Sequence, residues 1–156
     1  MSDLSLVSRT RERYHAFFAR YEQDPALFAD PARFAPYVYD EAKVEAFRRK
    51  RESRTDYRGW FLMEGNEIVG DIGFKRIDRD RAEAEIEICL RDDRCKGRGL
   101  GTAGLRLALE KAREMGLKTV RASILKGNLR SRRLFARAGF RPVSEDEFFL
   151  YERLEL

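Results

Sequence analysis

The chain has 156 residues, 43% of them hydrophobic and 38% charged, which suits one domain over residues 1–156 built on a single core. Two cysteines, Cys89 and Cys95, and one histidine supply no zinc-type ligand set, and no apolar run approaches the roughly 18 residues of a membrane span. The net charge of +5 suits a polyanionic partner, but no nucleic-acid-binding motif accompanies it. The N-terminal stretch is too short and acidic for a signal peptide, so a reduced, cytoplasmic setting is expected, with no metal and no membrane partner.

Leu4 to Val7 alternates like a short strand. Beyond Thr10, Tyr14, Phe17, Phe18 and Tyr21 recur at helical spacing and predict a helix with a buried aromatic face. Asp24-Pro25 and Asp30-Pro31 each read as a capping Asp followed by proline, giving short helical pieces whose Leu27, Phe28 and Phe34 pack inward. Asp40 opens a further helix to about Arg54, with Val44 and Phe47 on its apolar side and Arg48-Arg49-Lys50-Arg51 as its solvated face. His15 lies off the aromatic stripe and reads as a surface residue.

From Tyr57 onward the pattern becomes that of strands. Trp60–Met63 and Ile68–Ile77 flank the turn Glu64-Gly65-Asn66-Glu67 and predict a hairpin. Asp78–Arg81 is a charged turn before a strand over 83–90. The strand leads into Arg94-Cys95-Lys96-Gly97-Arg98-Gly99-Leu100-Gly101-Thr102 and then an amphipathic helix that Gly116 ends. Thr119–Leu125 is the next strand, Asn128 caps a helix that Gly139 ends, and Phe140–Val143 and Phe148–Leu154 close the chain as strands. Helices against a mixed, mostly antiparallel sheet, an α/β (α+β) three-layer domain, follow from that order.

Strand, glycine-rich bend and helix start together form a phosphate-binding arrangement. Glycines let the backbone approach a ligand, and the helix start supplies free N–H donors and partial positive charge. A Walker loop requires a Gly-Lys pair, which is absent here. Gly99, Gly101 and Gly104 match the dinucleotide pattern formally, but Arg91-Asp92-Asp93-Arg94 intervenes after the strand and the next strand does not end on an acidic residue.

Arg94-x-x-Gly97-x-Gly99 resembles the Arg/Gln-x-x-Gly-x-Gly/Ala signature of the GNAT acetyltransferase superfamily. Downstream, Asn128-x-x-Ser131-x-x-Leu134-Phe135-x-x-x-Gly139-Phe140 resembles a second segment of that family. The resemblance covers residues 83–141 and implies a GNAT fold, in which two parallel strands splay apart to admit the cofactor. It also implies acetyl-coenzyme A as donor and a primary amine as acceptor, either a small molecule or a protein or peptide N-terminus. Residues 94–102 would bind the pyrophosphate, Asn128 the pantetheine arm, and a backbone N–H near Cys89 or Leu90 the thioester carbonyl. Ser131 and Phe135 belong to the same segment, and Arg133 is a candidate for a cofactor phosphate.

An alkylamine is almost wholly protonated at pH 7, so acceptance of its proton requires a base. Glu85 and Glu87 share one side of their strand, and either one fits that role. The family commonly has a tyrosine as acid where this chain has Phe135, which has no proton to donate. Tyr151, Ser131 or water is left to act instead. Phe135 also resembles the ribosomal-protein N-terminal acetyltransferase branch. Two alternatives stand beside this reading, a coenzyme A-binding protein without turnover and a basic ribosome- or nucleic-acid-binding module. The sequence leaves the acceptor open and allows a homodimer.

Overall fold

A computed structural model describes residues 3–28 and 30–156, apart from the side chains of Leu27 and Pro31. The expected inward packing of Leu27 therefore falls outside the described residues. Strand β1 (Leu4–Val7) precedes helix α1 (Arg11–Arg20), which Thr10 caps by accepting from the Arg13 N–H. Asp24 and Asp30 cap single 3-10 turns at Pro25–Leu27 and Pro31–Arg33, the short helical pieces expected there. Helix α2 (Glu41–Glu52) starts at Asp40, whose carboxylate takes the Lys43 N–H.

The remaining chain is β2 (Arg58–Glu64), β3 (Glu67–Asp78), β4 (Glu83–Leu90), α3 (Leu100–Glu114), β5 (Thr119–Leu125), α4 (Leu129–Arg137), β6 (Arg141–Glu145) and β7 (Phe149–Glu155). They form one seven-stranded sheet in the order β1-β2-β3-β4-β5-β7-β6. All neighbours are antiparallel except β4 and β5, whose connection runs through α3. This is the mixed α/β architecture expected from the element order.

Two packed layers hold the sheet. On one face α3 buries Leu105, Ala108, Leu109 and Ala112 against Leu62, Ile72 and Val120. Gly104 makes that approach possible, because a Cβ there would lie 2.8 Å from Ile72 Cδ1 and 3.1 Å from Leu62 Cδ2. On the other face Tyr14 and Phe17 of α1 are fully buried and pack against Phe61, with ring centroids 5.1 and 5.3 Å apart. Helix α1 stops at Arg20; Tyr21 is extended and lines a cavity with Cys89 and Leu90 at the end of β4.

A candidate acyl-transfer site at the splay of two strands

β4 and β5 pair only at Glu83–Thr119, Ala84–Val120 and Glu85–Arg121. Beyond Glu85 the strands separate, so β4 backbone groups from 86 to 90 that face β5 have no strand partner there. The result is a slot between two cavities. One, of about 280 Å³, lies under the glycine loop, and the other, of about 410 Å³, lies on the Glu85 and Glu87 side. Ile88, Asn128 and Ser131 line both cavities, so these residues mark the junction.

The glycine loop is built for close approach. Gly97 and Gly99 have φ of 73° and 79°, a left-handed conformation that other residues adopt only at a cost. A Cβ at either would meet no protein atom within 4 Å, so both face open space. Gly99 is also the N-cap of α3, and no side chain caps that helix end. The first N–H groups of α3 therefore remain available with the positive end of the helix dipole. Gly97, Gly99, Gly101 and Thr102 line the first cavity, as do Arg130 and Arg137 of α4. Glycine backbone, free helix donors and two arginines fit a bulky phosphate-bearing ligand such as coenzyme A.

Some predicted contacts fall elsewhere. Cys95 and Leu100 are buried in the core, so any contribution from them to this wall comes from backbone. Arg94 is exposed on a single 3-10 turn, Asp93–Cys95, and lines neither cavity. Arg133 also lines neither cavity. Of the same helix, Arg130, Leu134 and Arg137 line the first cavity, so the cations nearest the expected phosphate position are Arg130 and Arg137 rather than Arg133. Arg98 reaches Glu64 at 3.0 Å. Lys96 is tied to Asp24 at 2.7 Å and Asp93 at 3.0 Å. Burial works to lower the Lys96 ammonium, but those carboxylates outweigh it and hold its pKa above the ordinary value. Lys96 thereby ties the loop to the segment after α1.

Residues 91 and 92, which look like an interruption in the sequence, anchor the loop. Arg91 and Asp92 are both buried and pair at 2.9 Å, Arg91 also donates to the Ile68 carbonyl, and the Glu22 N–H bonds the Arg91 carbonyl. Asn128 caps α4 by accepting from the Ser131 N–H at 3.1 Å, which leaves its amide NH₂ as the donor end. Cys89 lines the first cavity, and burial pushes its thiol pKa up. Leu90 lines the same wall.

In the second cavity Glu85 and Glu87 lie on one side of β4 as strand alternation requires. Glu85 is the more buried and pairs with Lys75 at 3.3 Å and Arg76 at 3.4 Å. Glu87 is the first carboxylate beyond the last β4–β5 pair. It accepts from the Tyr57 hydroxyl at 2.7 Å and from Arg51 at 3.0 Å. Burial alone raises a carboxyl pKa; here Arg51, the Tyr57 hydroxyl and Lys75 outweigh it and hold Glu87 below the ordinary range. Phe135 is buried against Phe140 and lines this cavity. Tyr151 lines it too, but its hydroxyl is donated to Asp146, which raises the phenol pKa.

Behind Glu87 is a buried polar network that the sequence did not announce. Arg51 was expected on a solvated helix face; instead its side chain is 12% exposed and donates to Asp71 at 2.9 Å as well as to Glu87. Arg9 pairs with Asp71, donates to the Tyr57 hydroxyl, and reaches the Ile72 carbonyl. Gly59 and Gly73, register partners across β2 and β3, make room for it. A Cβ at Gly59 would lie 2.3 Å from an Arg9 nitrogen, and one at Gly73 would lie 2.7 Å from the Tyr57 oxygen. The available signals were Asp71 inside an apolar strand and two glycines in strand interiors.

Residues 4–141 match the family model described as an acetyltransferase (GNAT) domain. The chain belongs to the GNAT acetyltransferase family. It is accordingly an acyltransferase enzyme, of a family whose fold uses acetyl-coenzyme A. It is 27% identical over 123 residues to an L-methionine sulfoximine/L-methionine sulfone acetyltransferase of Pseudomonas aeruginosa, covering 74% of this chain and 71% of that one. Its fold resembles a spermidine N-acetyltransferase SpeG chimera of Vibrio cholerae and hSSAT, with TM-score 0.81 and 13% identity over 97% and 95% of the two chains. It also resembles Campylobacter jejuni N-acetyltransferase PseH in complex with acetyl coenzyme A, with TM-score 0.65 and 20% identity over 73% and 78%. These relatives do not single out the ribosomal-protein branch. Among the described residues no helix is long and apolar enough to cross a membrane, and no cluster of potential metal ligands occurs.

Proposed function

We propose that this GNAT enzyme transfers an acetyl group from acetyl-coenzyme A to the primary amine of a small molecule, with Glu87 as the base. The observation that carries the reading is the parting of β4 and β5 beyond Glu85, which joins a phosphate-suited cavity to one containing two carboxylates. The donor supplies the thioester. The residues of the chain bind, orient and move protons around it.

Glycine-loop N–H groups, the open start of α3, and Arg130 and Arg137 hold the phosphates. The Asn128 amide meets the pantetheine arm at the junction. An acceptor ammonium in the second cavity gives a proton to Glu87, directly or through water. The neutral nitrogen then attacks the carbonyl, whose developing negative charge is met by a slot-facing N–H of β4 near Cys89 or Leu90. The carbon–nitrogen bond forms, the carbon–sulfur bond breaks, and the second proton, shed by the acylated nitrogen, is relayed to the departing thiolate. Ser131 lies on both cavity walls and suits that last step, alone or through water, better than Tyr151 with its hydroxyl engaged by Asp146. Phe135 contributes only an apolar wall.

Glu87 is favoured over Glu85 because it is adjacent to the slot, whereas Glu85 is enclosed by Lys75 and Arg76. The Pseudomonas relative acts on amino-acid analogues and the Vibrio relative on a polyamine, and both support a small-molecule acceptor. Thiol release from acetyl-coenzyme A across an amine panel tests the reading. Amine-dependent release supports it. Tight cofactor binding without transfer to any amine would leave a coenzyme A-binding protein instead.

A further inference from the structure

The wall of the second cavity carries a feature that proton abstraction does not use. Arg76 has φ of 52°, an uncommon conformation for a side-chain-bearing residue, and occurs where the β3–β4 register shifts between Lys75 and Asp78. Such a bulge redirects a side chain, and here it brings the Arg76 guanidinium to the cavity with one nitrogen 3.4 Å from Glu85. The side chain is 66% exposed, so most of its donor fork is open to a ligand. Lys75, the register partner of Glu85, stands beside it, 3.3 Å from Glu85 and 3.8 Å from Glu87.

The charge balance restricts the acceptor. Lys75 and Arg76 offset Glu85 and Glu87 across this wall, and Arg51 faces Glu87 from behind. The charges lining this wall balance, which disfavours a polycation. The acidic β6–β7 tip stands apart from this wall: Glu145, Asp146 and Glu147 do not line the cavity, Glu145 pairs with Lys126, and Asp146 accepts from Tyr151 and the N–H groups of Phe148 and Phe149. A ligand with both charges fits better. Its ammonium faces Glu87, and its anionic group takes the free donors of Arg76 and Lys75.

Resting on the acetyltransferase reading above, we infer that the acceptor is an α-amino acid or close analogue, and that Arg76 and Lys75 bind its carboxylate. A strained backbone is retained at Arg76 because it aims the guanidinium. This choice excludes a peptide N-terminus, whose α-carboxyl is an amide.

The test uses the full chain, acetyl-coenzyme A, and a panel of L-α-amino acids, each alongside its carboxamide and decarboxylated amine, with spermidine included. The best amino acid is expected to exceed its carboxamide and amine at least tenfold in kcat/KM, chiefly through KM. That ratio should collapse toward one in both Arg76→Gln and Arg76→Gly, and partly return in Arg76→Lys. Glycine relieves the backbone strain, so Arg76→Gly should melt no lower than the parent, separating a binding role from a structural one. Equal use of the carboxamide, preference for spermidine, or a ratio that survives Arg76→Gly would overturn the carboxylate site while leaving acetyl transfer intact. Transfer to no member of the panel would instead sink the acetyltransferase reading itself, and this inference with it.

Discussion

As the proposed base, Glu87 must be ionised to take a proton and placed to reach the slot, and the residues behind it suit both needs. Arg51 and Tyr57 bond the same oxygen, and Arg51 is in turn fixed by Asp71, which Arg9 also holds. Removing a cation from beside a carboxylate makes its protonation easier, so Arg51→Met should raise the Glu87 pKa. Since the rate requires ionised Glu87, the acid limb of kcat/KM against pH should move to higher pH. Tyr57→Phe should move it the same way, and a purely structural network would move melting temperature alone. Arg9 and Asp71 are both almost wholly buried; Arg9→Met strands part of that charge and should cost about 3–5 kcal/mol in denaturant unfolding. At this scale the sequence was only half legible. Strand alternation brings Glu85 and Glu87 to one face from local spacing alone, but pairing of residues 9, 51, 57, 71 and 87 is long-range and has no periodic signature.

The helix starts and the glycine loop were the most legible, because capping and left-handed turns are local. Asp24, Asp40 and Asn128 cap as their residue types suggest. Gly99 is the sharpest case. Alanine there would carry about 1–2 kcal/mol of left-handed strain and direct a methyl into the open space above the loop. Calorimetry should therefore show weaker coenzyme A binding in Gly99→Ala, together with a lower melting temperature. Gly104→Ala acts differently. Its methyl enters the α3–sheet contact against Ile72 and Leu62, costing about 1–3 kcal/mol of stability by overpacking. The α2 face was misread because four consecutive basic residues imply solvent, and burial of Arg51 depends on an acidic partner on a distant strand.

Across the whole molecule, the parting of β4 and β5 joins two cavities, which in the proposed mechanism serve as phosphate cradle and acceptor chamber. The order of elements predicted the sheet and its layers, since amphipathic helices and alternating strands have few ways to bury their apolar faces. It did not predict where β5 leaves β4, because strand splay depends on packing from both faces. Several of the cations are also engaged within the fold, as Arg48, Arg51, Arg98 and Arg153 all occupy ion pairs. The most direct measurement is steady-state thiol release from acetyl-coenzyme A with the best acceptor, comparing the parent with Glu87→Gln, alongside cofactor affinity by calorimetry. With Glu87 as base, kcat/KM falls by about 10²–10⁴-fold while cofactor affinity holds. Full activity in Glu87→Gln would contradict the assignment at its centre.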